Sequence, residues 1–463
     1  MMKAQNATSL LFSNLFDKPI QVTFNEKQTS SDGGAILLEA VSQKMHLLNA
    51  FTEAIDDTRQ QGKVDHPLEE LVRQRLFSIT CGYPDANDVK RIEDDPILRM
   101  LAGLNPDVPD QSLGSQPTIS RFENAIDLDT CFQIGCRLAE QVVHYQAHRR
   151  KGKRKPKNIT IDTDPTDDPT HGQQVFSFFN THYDNWCYLP QTIFIRFNDE
   201  GEQYLVGVML RPGNASATLW TPWVLRRLVE LLRKTWPKIR IRVRLDGGFA
   251  SPHIFDLLEQ LQVEYLINMG KNSRLEVLAE PLMEQARQLA RETGQTARVF
   301  GEARYAAHSW HGIERRVIIK AEVVMAPGRE PKDNPRFVIT NMRHKPENVY
   351  ICYRKRGDCE NRIKEILDLQ IDRTSCHRFE ANVFRVLLTS AAYMLIQGMR
   401  ERIHDSEMRS AQVWTLREKL FKIAARIKIT FRHIRIGLPE TFAYLDVFRQ
   451  LARSFGAVPI SSP

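Results

Sequence analysis

Lys238-Ile-Arg-Ile-Arg-Val-Arg-Leu-Asp246-Gly-Gly248 is the stretch on which the fold turns. With a period of two, Ile239, Ile241, Val243 and Leu245 share one face, the pattern of a β-strand. Asp246 ends that strand and two glycines follow, so nothing bulky shields its carboxylate. Open α/β sheets place ligands at the C-terminal ends of their strands, which makes Asp246 a site candidate. A helix cap is the plainer reading, but the next helix-start residue is Ser251, further along. Around this strand, Thr218–Trp236 and Ser251–Gln262 read as helices and Glu264–Met269 as another strand. Strand–helix alternation of this kind predicts a mixed sheet with helices on its faces.

Strand patterning begins upstream at Asn158-Ile-Thr-Ile-Asp-Thr-Asp164. Ile159 and Ile161 point one way, Asp162 and Asp164 the other. Two aspartates on one face repel unless a cation, a lysine or an arginine lies between them. Tyr188–Phe197 and Gln203–Arg211 read as a hairpin around Asn198-Asp-Glu-Gly201. Downstream, three strand-like runs between Arg298 and Met342 suggest a β-rich insertion, and helical text returns near Asn348.

The flanks are different in kind. Up to about Gln146 the chain is mostly helical, and Ser115-Gln-Pro-Thr-Ile-Ser-Arg-Phe-Glu123 carries a helix start followed by Arg121. Such a region suits a DNA-reading head as well as it suits an ordinary helical domain. Arg149-Arg-Lys-Gly-Lys-Arg-Lys-Pro-Lys157 has seven basic residues in nine, and reads as a cationic linker that contacts phosphates through Arg149, Arg150, Lys151, Lys153 and Arg154. Arg417–Arg435 holds seven basic residues against one acidic. The organisation expected is 1–148 helical head, 149–157 linker, 158–270 first part of the core, 271–345 β-rich insertion, 346–404 second part of the core and 405–463 basic tail.

Composition limits the functional classes. The 463 residues carry 64 Lys+Arg against 56 Asp+Glu, a net charge of +8, and are 42% hydrophobic, which is ordinary for a globular chain with a core. The seven cysteines are scattered without a C-x-x-C, arguing against structural zinc and against a disulfide framework. The N-terminus lacks a signal-peptide pattern. Val383–Met399 is apolar but interrupted by Arg385, Thr389, Ser390 and Gln397, so a buried helix is expected rather than a membrane span. A cytoplasmic location follows as an expectation.

Tyr353-Arg-Lys-Arg356-Gly-Asp-Cys-Glu360-Asn-Arg-Ile-Lys364 completes the constellation. Tyr353, Arg356, Glu360 and Lys364 fall on one stripe if the segment is a single helix. By itself this is surface salt bridging. With the two strand-end aspartates it offers hard oxygen donors suited to Mg²⁺ or Mn²⁺, the ions that serve phosphodiester chemistry in pairs. Arg226–Arg244, with eight basic residues and one acidic, would hold a polyanion.

Several ordered blocks carry a family resemblance: Ile161-Asp-Thr-Asp-Pro-Thr166, His171-Gly-Gln-Gln174, Leu189-Pro190, Leu210-Arg-Pro-Gly-Asn214, Arg244-Leu-Asp-Gly-Gly-Phe249, Arg356–Glu365 and Asp372-Arg-Thr-Ser375. With Ser115–Glu123 they resemble bacterial insertion-sequence transposases of the DDE type, most of all the thirteen-eighty insertion-sequence family of the group marked by a Tyr-x2-Arg-x3-Glu-x6-Lys signature. The resemblance implies an α/β fold: an RNase H-like mixed sheet flanked by helices, interrupted by a β-rich insertion, with a helical N-terminal DNA-binding domain and a basic C-terminal segment. It implies Asp164, Asp246 and Glu360 as catalytic metal ligands for Mg²⁺, with Mn²⁺ as substitute. Asp162 stays an alternative first ligand.

Tyr353 and Arg356 match the signature. Its lysine position is occupied by Leu367, and Lys364, one turn earlier, is the substitute DNA contact. Trp310 in the insertion is a candidate to stack on a flipped base, its alternative being a place in the insertion's own core. The partners implied are double-stranded DNA, as inverted-repeat ends and target, and a second copy of the chain on the nucleoid, with no membrane. Two other functions share these features: a catalytically silent end-binding repressor and a stand-alone metal-dependent endonuclease.

Overall fold

The computed structural model describes residues 10–13, 18–23, 26, 28–108, 110–152, 155–198, 200–404 and 406–459. The chain divides into two compact units. The first combines Met1–Val41, Arg59–Ser120 and Met399–Pro463; the second combines Ser42–Thr58 and Arg121–Gly398.

The second unit is built on a nine-stranded mixed sheet. Its principal strands are β1 (Asn158–Pro165), β2 (Gln191–Phe197), β3 (Tyr204–Met209), β4 (Arg240–Leu245), β5 (Glu264–Met269), β6 (Ala297–Tyr305), β7 (Arg315–Val324) and β8 (Arg336–Thr340). They lie in the order β6-β7-β8-β5-β4-β1-β2-β3, and a two-residue strand at Lys332–Asp333 joins β7. β1, β4 and β5 run parallel, with Val243 opposite Ile161 on one side and Tyr265 on the other. β2 and β3 complete an antiparallel meander beside β1.

Apolar alternation explains why β1 and β4 sit at the centre. Ile159, Ile161, Ile241 and Val243 are all buried. Around the sheet lie α1 (Leu128–Arg149), α2 (Thr221–Thr235), α3 (Pro252–Gln260), α4 (Ser273–Thr293), α5 (Pro346–Arg354), α6 (Asp358–Leu367) and α7 (Phe379–Arg400). Among the described residues only α7 is long and apolar enough to cross a membrane, and 89% of its apolar window is buried inside the protein. It is a core helix, with Phe384, Leu388, Ala391 and Leu395 fully enclosed.

Three expectations change. The run 298–342 does not form a separate body, because β8 pairs with β5 in register Ile267↔Ile339 and carries β7 and β6 into the same sheet. The cause is shared apolar packing: Leu266 of β5, Ile318 of β7 and Val338 of β8 meet Val349 of α5 in one cluster. The segment also holds the 21-residue helix α4. Second, the run Tyr188–Phe197 is broken at Leu189-Pro190. Asn185–Tyr188 leaves the main sheet for a small three-stranded one with Asp168–Pro169 and Phe178–Asn180. Third, the basic stretch 149–157 does not join head to core, since both its flanks lie in the second unit. Residues 121–148, read as head, pack in that unit as well.

The first unit is helical with short strands, and it takes in the basic tail. Thr29–Ser30 pairs with Ala425–Ile429, which pairs in turn with Ile434–Gly437. Lys422 Nζ lies 2.7 Å from Asp32 Oδ1 and donates to the Tyr83 hydroxyl at 2.8 Å, while that hydroxyl donates to Asp32 Oδ2 at 2.8 Å. Basic residues of the tail thus include one spent on internal structure.

Candidate active site

Asp164 lies near the C-terminal end of β1, and Asp246 lies just past the end of the neighbouring parallel strand β4. The register Arg244↔Asp162 fixes them side by side, two residues further along each strand. Asp246 turns sharply into a single turn of 3-10 helix at Gly247–Phe249, and its Oδ1 accepts from Gly248 N at 2.9 Å. One carboxylate oxygen therefore acts as a local cap, and the other faces Arg356, whose Nη2 is 3.8 Å away.

Glu360 is carried by α6, and two contacts hold that helix to the unit. Arg196 of β2 donates to Asp358 Oδ2 at 2.7 Å, and the hydroxyl of Tyr393 on α7 donates to Glu365 Oε2 at 2.5 Å. The Glu360 side chain is exposed. Tyr353, Arg356 and Glu360 do not share one helix as expected: α5 ends at Arg354, a 3-10 turn covers Lys355–Gly357, and α6 begins at Asp358. The break turns Arg356 toward the sheet.

Arg356 Nη2 donates to Asp164 Oδ1 at 2.5 Å, so a guanidinium sits against both strand-end carboxylates. Burial pushes the Asp164 carboxyl up to about 6; Arg356 opposes the rise, and the negative charges of Asp246 and Glu360 add to it. Asp164 thus lies within electrostatic reach of both other acids, although among the described residues no three His, Cys, Asp or Glu side chains are gathered closely enough to hold a metal ion. The donor set is chemically suited to a hard divalent cation, being carboxylate oxygens throughout. Cationic charge is already drawn to Asp164 and Asp246 in the form of Arg356, which would have to yield its place to an ion.

Asp162 is not available as a ligand. Arg244 Nε and Nη2 each lie 2.6 Å from its carboxylate, and Gln203 Nε2 donates to it at 2.7 Å, all out of solvent. Arg242 of β4 is likewise spent internally, pairing with Glu264 at 2.8 Å, while Arg240 at the start of the strand stays exposed. The expected polyanion cradle therefore reduces to exposed residues such as Arg226, Arg227, Lys234 and Lys238.

Trp310 corrects another expectation. It is 1% exposed, with Phe255 at 5.1 Å, Tyr305 at 5.4 Å and the Arg315 guanidinium 5.5 Å from its ring. No face is left for a base. Tyr353 packs against the Leu266–Val338 cluster, and burial pushes its hydroxyl up to about 12. Lys364, Lys151 and Arg121 are exposed, whereas Arg149 reaches the Tyr204 hydroxyl and Arg150 forks onto Glu200 at 2.6 Å while stacking 4.0 Å over Phe197. Lys153 and Arg154 lie outside the described residues.

The other motif blocks hold the scaffold. Gln174 Nε2 donates to the carbonyls of Thr374 and Cys376, and Thr374 Oγ1 donates to the buried Asp168 at 2.7 Å, joining the 171–174 and 372–375 blocks. Buried Arg211 donates to Leu189 O at 3.1 Å and Ser216 O at 2.8 Å. Sequence reasoning passed over both the Arg356–Asp164 and the Arg244–Asp162 pairs. The second was signalled by arginines on the same face of β4 as Asp246, next to a strand whose aspartates needed cations.

A family model described as the transposase DDE domain, group 1, matches residues 12–459. No curated protein matches the chain. Among solved structures it is similar to the Mos1 transposase paired-end complex with left transposon end, at 11% identity and a TM-score of 0.17, over 39% of this chain and 57% of that one. That likeness is too remote to carry an argument.

Proposed function

The chain belongs to the group 1 family of DDE transposase domains, and from that premise we propose that it cuts DNA at the inverted-repeat ends of an insertion sequence and joins the freed 3′-hydroxyls to target DNA. The observation that carries this reading is the meeting of Asp164 and Asp246 on adjacent parallel strand ends, with Glu360 within electrostatic reach. The order β3-β2-β1-β4-β5, with an antiparallel meander beside two parallel strands, supports an RNase H-like core. The ordered blocks around these acids support the thirteen-eighty insertion-sequence family in particular.

Asp164, Asp246 and Glu360 would hold Mg²⁺, or Mn²⁺ in its place. When bound, such ions lower the pKa of an attacking water or hydroxyl and offset charge at the phosphate. The chain's own residues do the rest. The two strand ends fix the acids on a rigid sheet, and Gly248 keeps the turn from crowding Asp246, whose Oδ1 a Cβ there would approach to 3.2 Å. Arg356, released from Asp164, supplies a planar donor for a phosphate, a geometry guanidinium groups favour. Lys364, exposed one turn beyond Glu360 and one turn before Leu367, would take over the DNA-end contact of the missing signature lysine. The first unit and the exposed cations of the second would recognise the ends, and a homodimer would pair two ends in the bacterial nucleoid.

The test is a cleavage and joining assay on labelled DNA carrying the element's own ends, in Mg²⁺, with wild type, Asp246→Ala and Glu360→Ala. End-specific nicks and joined products that vanish in both variants support the proposal. Binding without cleavage in either Mg²⁺ or Mn²⁺ would leave an end-binding repressor, and cutting without joining would leave an endonuclease.

A further inference from the structure

Exposed aromatic side chains gather on the small sheet that leaves the main one at Leu189-Pro190. Phe176, Phe178, Phe179 and Trp186 are all exposed within this short stretch. Phe179 and Trp186 are direct cross-strand partners, 46% and 59% exposed, with ring centroids 6.3 Å apart at a steep angle. Exposed rings weaken solubility, and a cluster of them on one small sheet marks a binding surface.

The surface is rigidly mounted. Asn180 Nδ2 donates to Gly213 O at 2.8 Å, and its Oδ1 accepts from His182 N at 3.0 Å. Gly213 packs so tightly on the backbone of Phe178 and Cys187 that a Cβ would strike both carbonyl oxygens. The Tyr188 hydroxyl donates to Val175 O at 2.7 Å. Much of the Leu210–Asn214 block is therefore spent on fixing a hairpin whose outward side is aromatic, and a preformed surface loses little entropy on binding.

Its position is equally specific. The strand Asp168–Pro169 of this sheet follows β1 directly, four residues after Asp164, and Asn185 Nδ2 donates to Asp167 Oδ2 at 3.1 Å, tying the hairpin to the loop between. Tyr183, at the hairpin tip, lies within the electrostatic field of Asp164 and Asp246. A strand with a phosphate at those acids would carry its neighbouring bases toward the hairpin. Flat rings beside the exposed His182 suit a nucleobase, whose faces are apolar and whose edges are polar.

We propose that the hairpin of Phe178–Asn180 and Asn185–Tyr188 is a stacking platform, on which Phe179 and Trp186 receive unpaired bases of the DNA strand being processed. The inference rests on the transposase reading and assigns to this hairpin the base contact that buried Trp310 is unable to make.

The experiment uses the full chain in metal-free buffer and measures fluorescence anisotropy with three probes: a labelled oligothymidine strand, an abasic strand of equal length and a blunt duplex. Wild type should bind the thymidine strand roughly tenfold or more tighter than the abasic one, from base–aromatic stacking. The Phe179→Ala/Trp186→Ala double variant should bind the two alike, and Trp186→Phe should keep most of the preference. Both rings are exposed, so thermal unfolding of the double variant should show only the small loss of one cross-strand aromatic pair. Equal binding of thymidine and abasic strands by wild type, with duplex binding intact, overturns the platform and spares the transposase reading. Failure to bind any of the three overturns both. Loss of a wild-type dimer in the double variant, seen by sedimentation with strand preference unchanged, makes the surface a protein interface and overturns the platform.

Discussion

Arg244 grips Asp162 with two guanidinium nitrogens, each 2.6 Å from the carboxylate, across the β1–β4 pair where the two residues stand in register. Two residues along each strand stand Asp246 and Asp164. The ion pair therefore fixes, from inside the sheet, the alignment of two acids at the ends of its central strands.

Asp162→Asn should cost roughly 3–5 kcal/mol, because it leaves a buried guanidinium uncompensated. Asp164→Asn removes a carboxyl that burial already disfavours, and should alter stability by no more than about 1 kcal/mol. In chemical denaturation Asp162→Asn is expected to show the large loss, whereas only Asp164→Asn should yield a folded protein without end cleavage. The reverse ranking would make Asp162 the functional acid.

Burial pushes the Asp168 carboxyl up to about 7, with Thr374 opposing the rise and Asp372 and Asp167 adding to it. The folded value lies above the ordinary one, so the folded protein keeps a proton that the unfolded chain gives up. This contribution is fully present below about pH 4 and is lost as pH rises through about 7. Asp168→Asn should remove that slope. Unfolding free energies at pH 5 and pH 8 should draw together in the variant, by on the order of a few kcal/mol, and parallel curves would contradict the assignment.

Trp310→Ala should cost roughly 3–5 kcal/mol, as expected for emptying an aromatic core position. The folded fraction should keep its affinity for DNA ends. Trp310→Phe should retain most of the stability by keeping a ring against Phe255 and Tyr305. A variant of normal stability but weakened end binding would restore the stacking role to Trp310.

Gly213→Ala pushes a methyl group into the carbonyls of Phe178 and Cys187, at a cost of about 1–3 kcal/mol. The disturbance should stay local. Hydrogen exchange is expected to speed up across residues 178–188, while the amides of β4 and β5 stay protected.

The sequence was most informative where one face alone was apolar. Glu264–Met269 was legible to the residue, and β1 and β4 to within a residue or two at each end, because alternation fixed both strand and face. Asp246 stood out for the glycines behind it. Legibility failed where a continuous apolar run hid a change of partner, as at Leu189-Pro190, and where a helix broke without a proline, at the lone Gly357 of Lys355–Gly357. Helix α4 was obscured by Pro281 inside it. Trp310 and Asp162 show a different limit: whether a ring or a carboxylate reaches solvent depends on partners distant in sequence, Phe255 for one and Arg244 for the other. Local pattern does not identify such partners.

The first unit draws on segments far apart in sequence, and this sets an order of events during synthesis. Asp32 and Thr29 leave the ribosome long before Lys422 and Ala425 are made. At about 5–20 residues per second, the early half waits roughly 20–80 seconds for its partner strand. The sheet that bears the acids has by then been completed, its last strand ending at Thr340. A nascent chain thus holds the sheet that bears the acids before the unit made from its distant segments can close, and a premature stop between α7 and Lys422 would leave Asp32 without Lys422 and Thr29 without its strand.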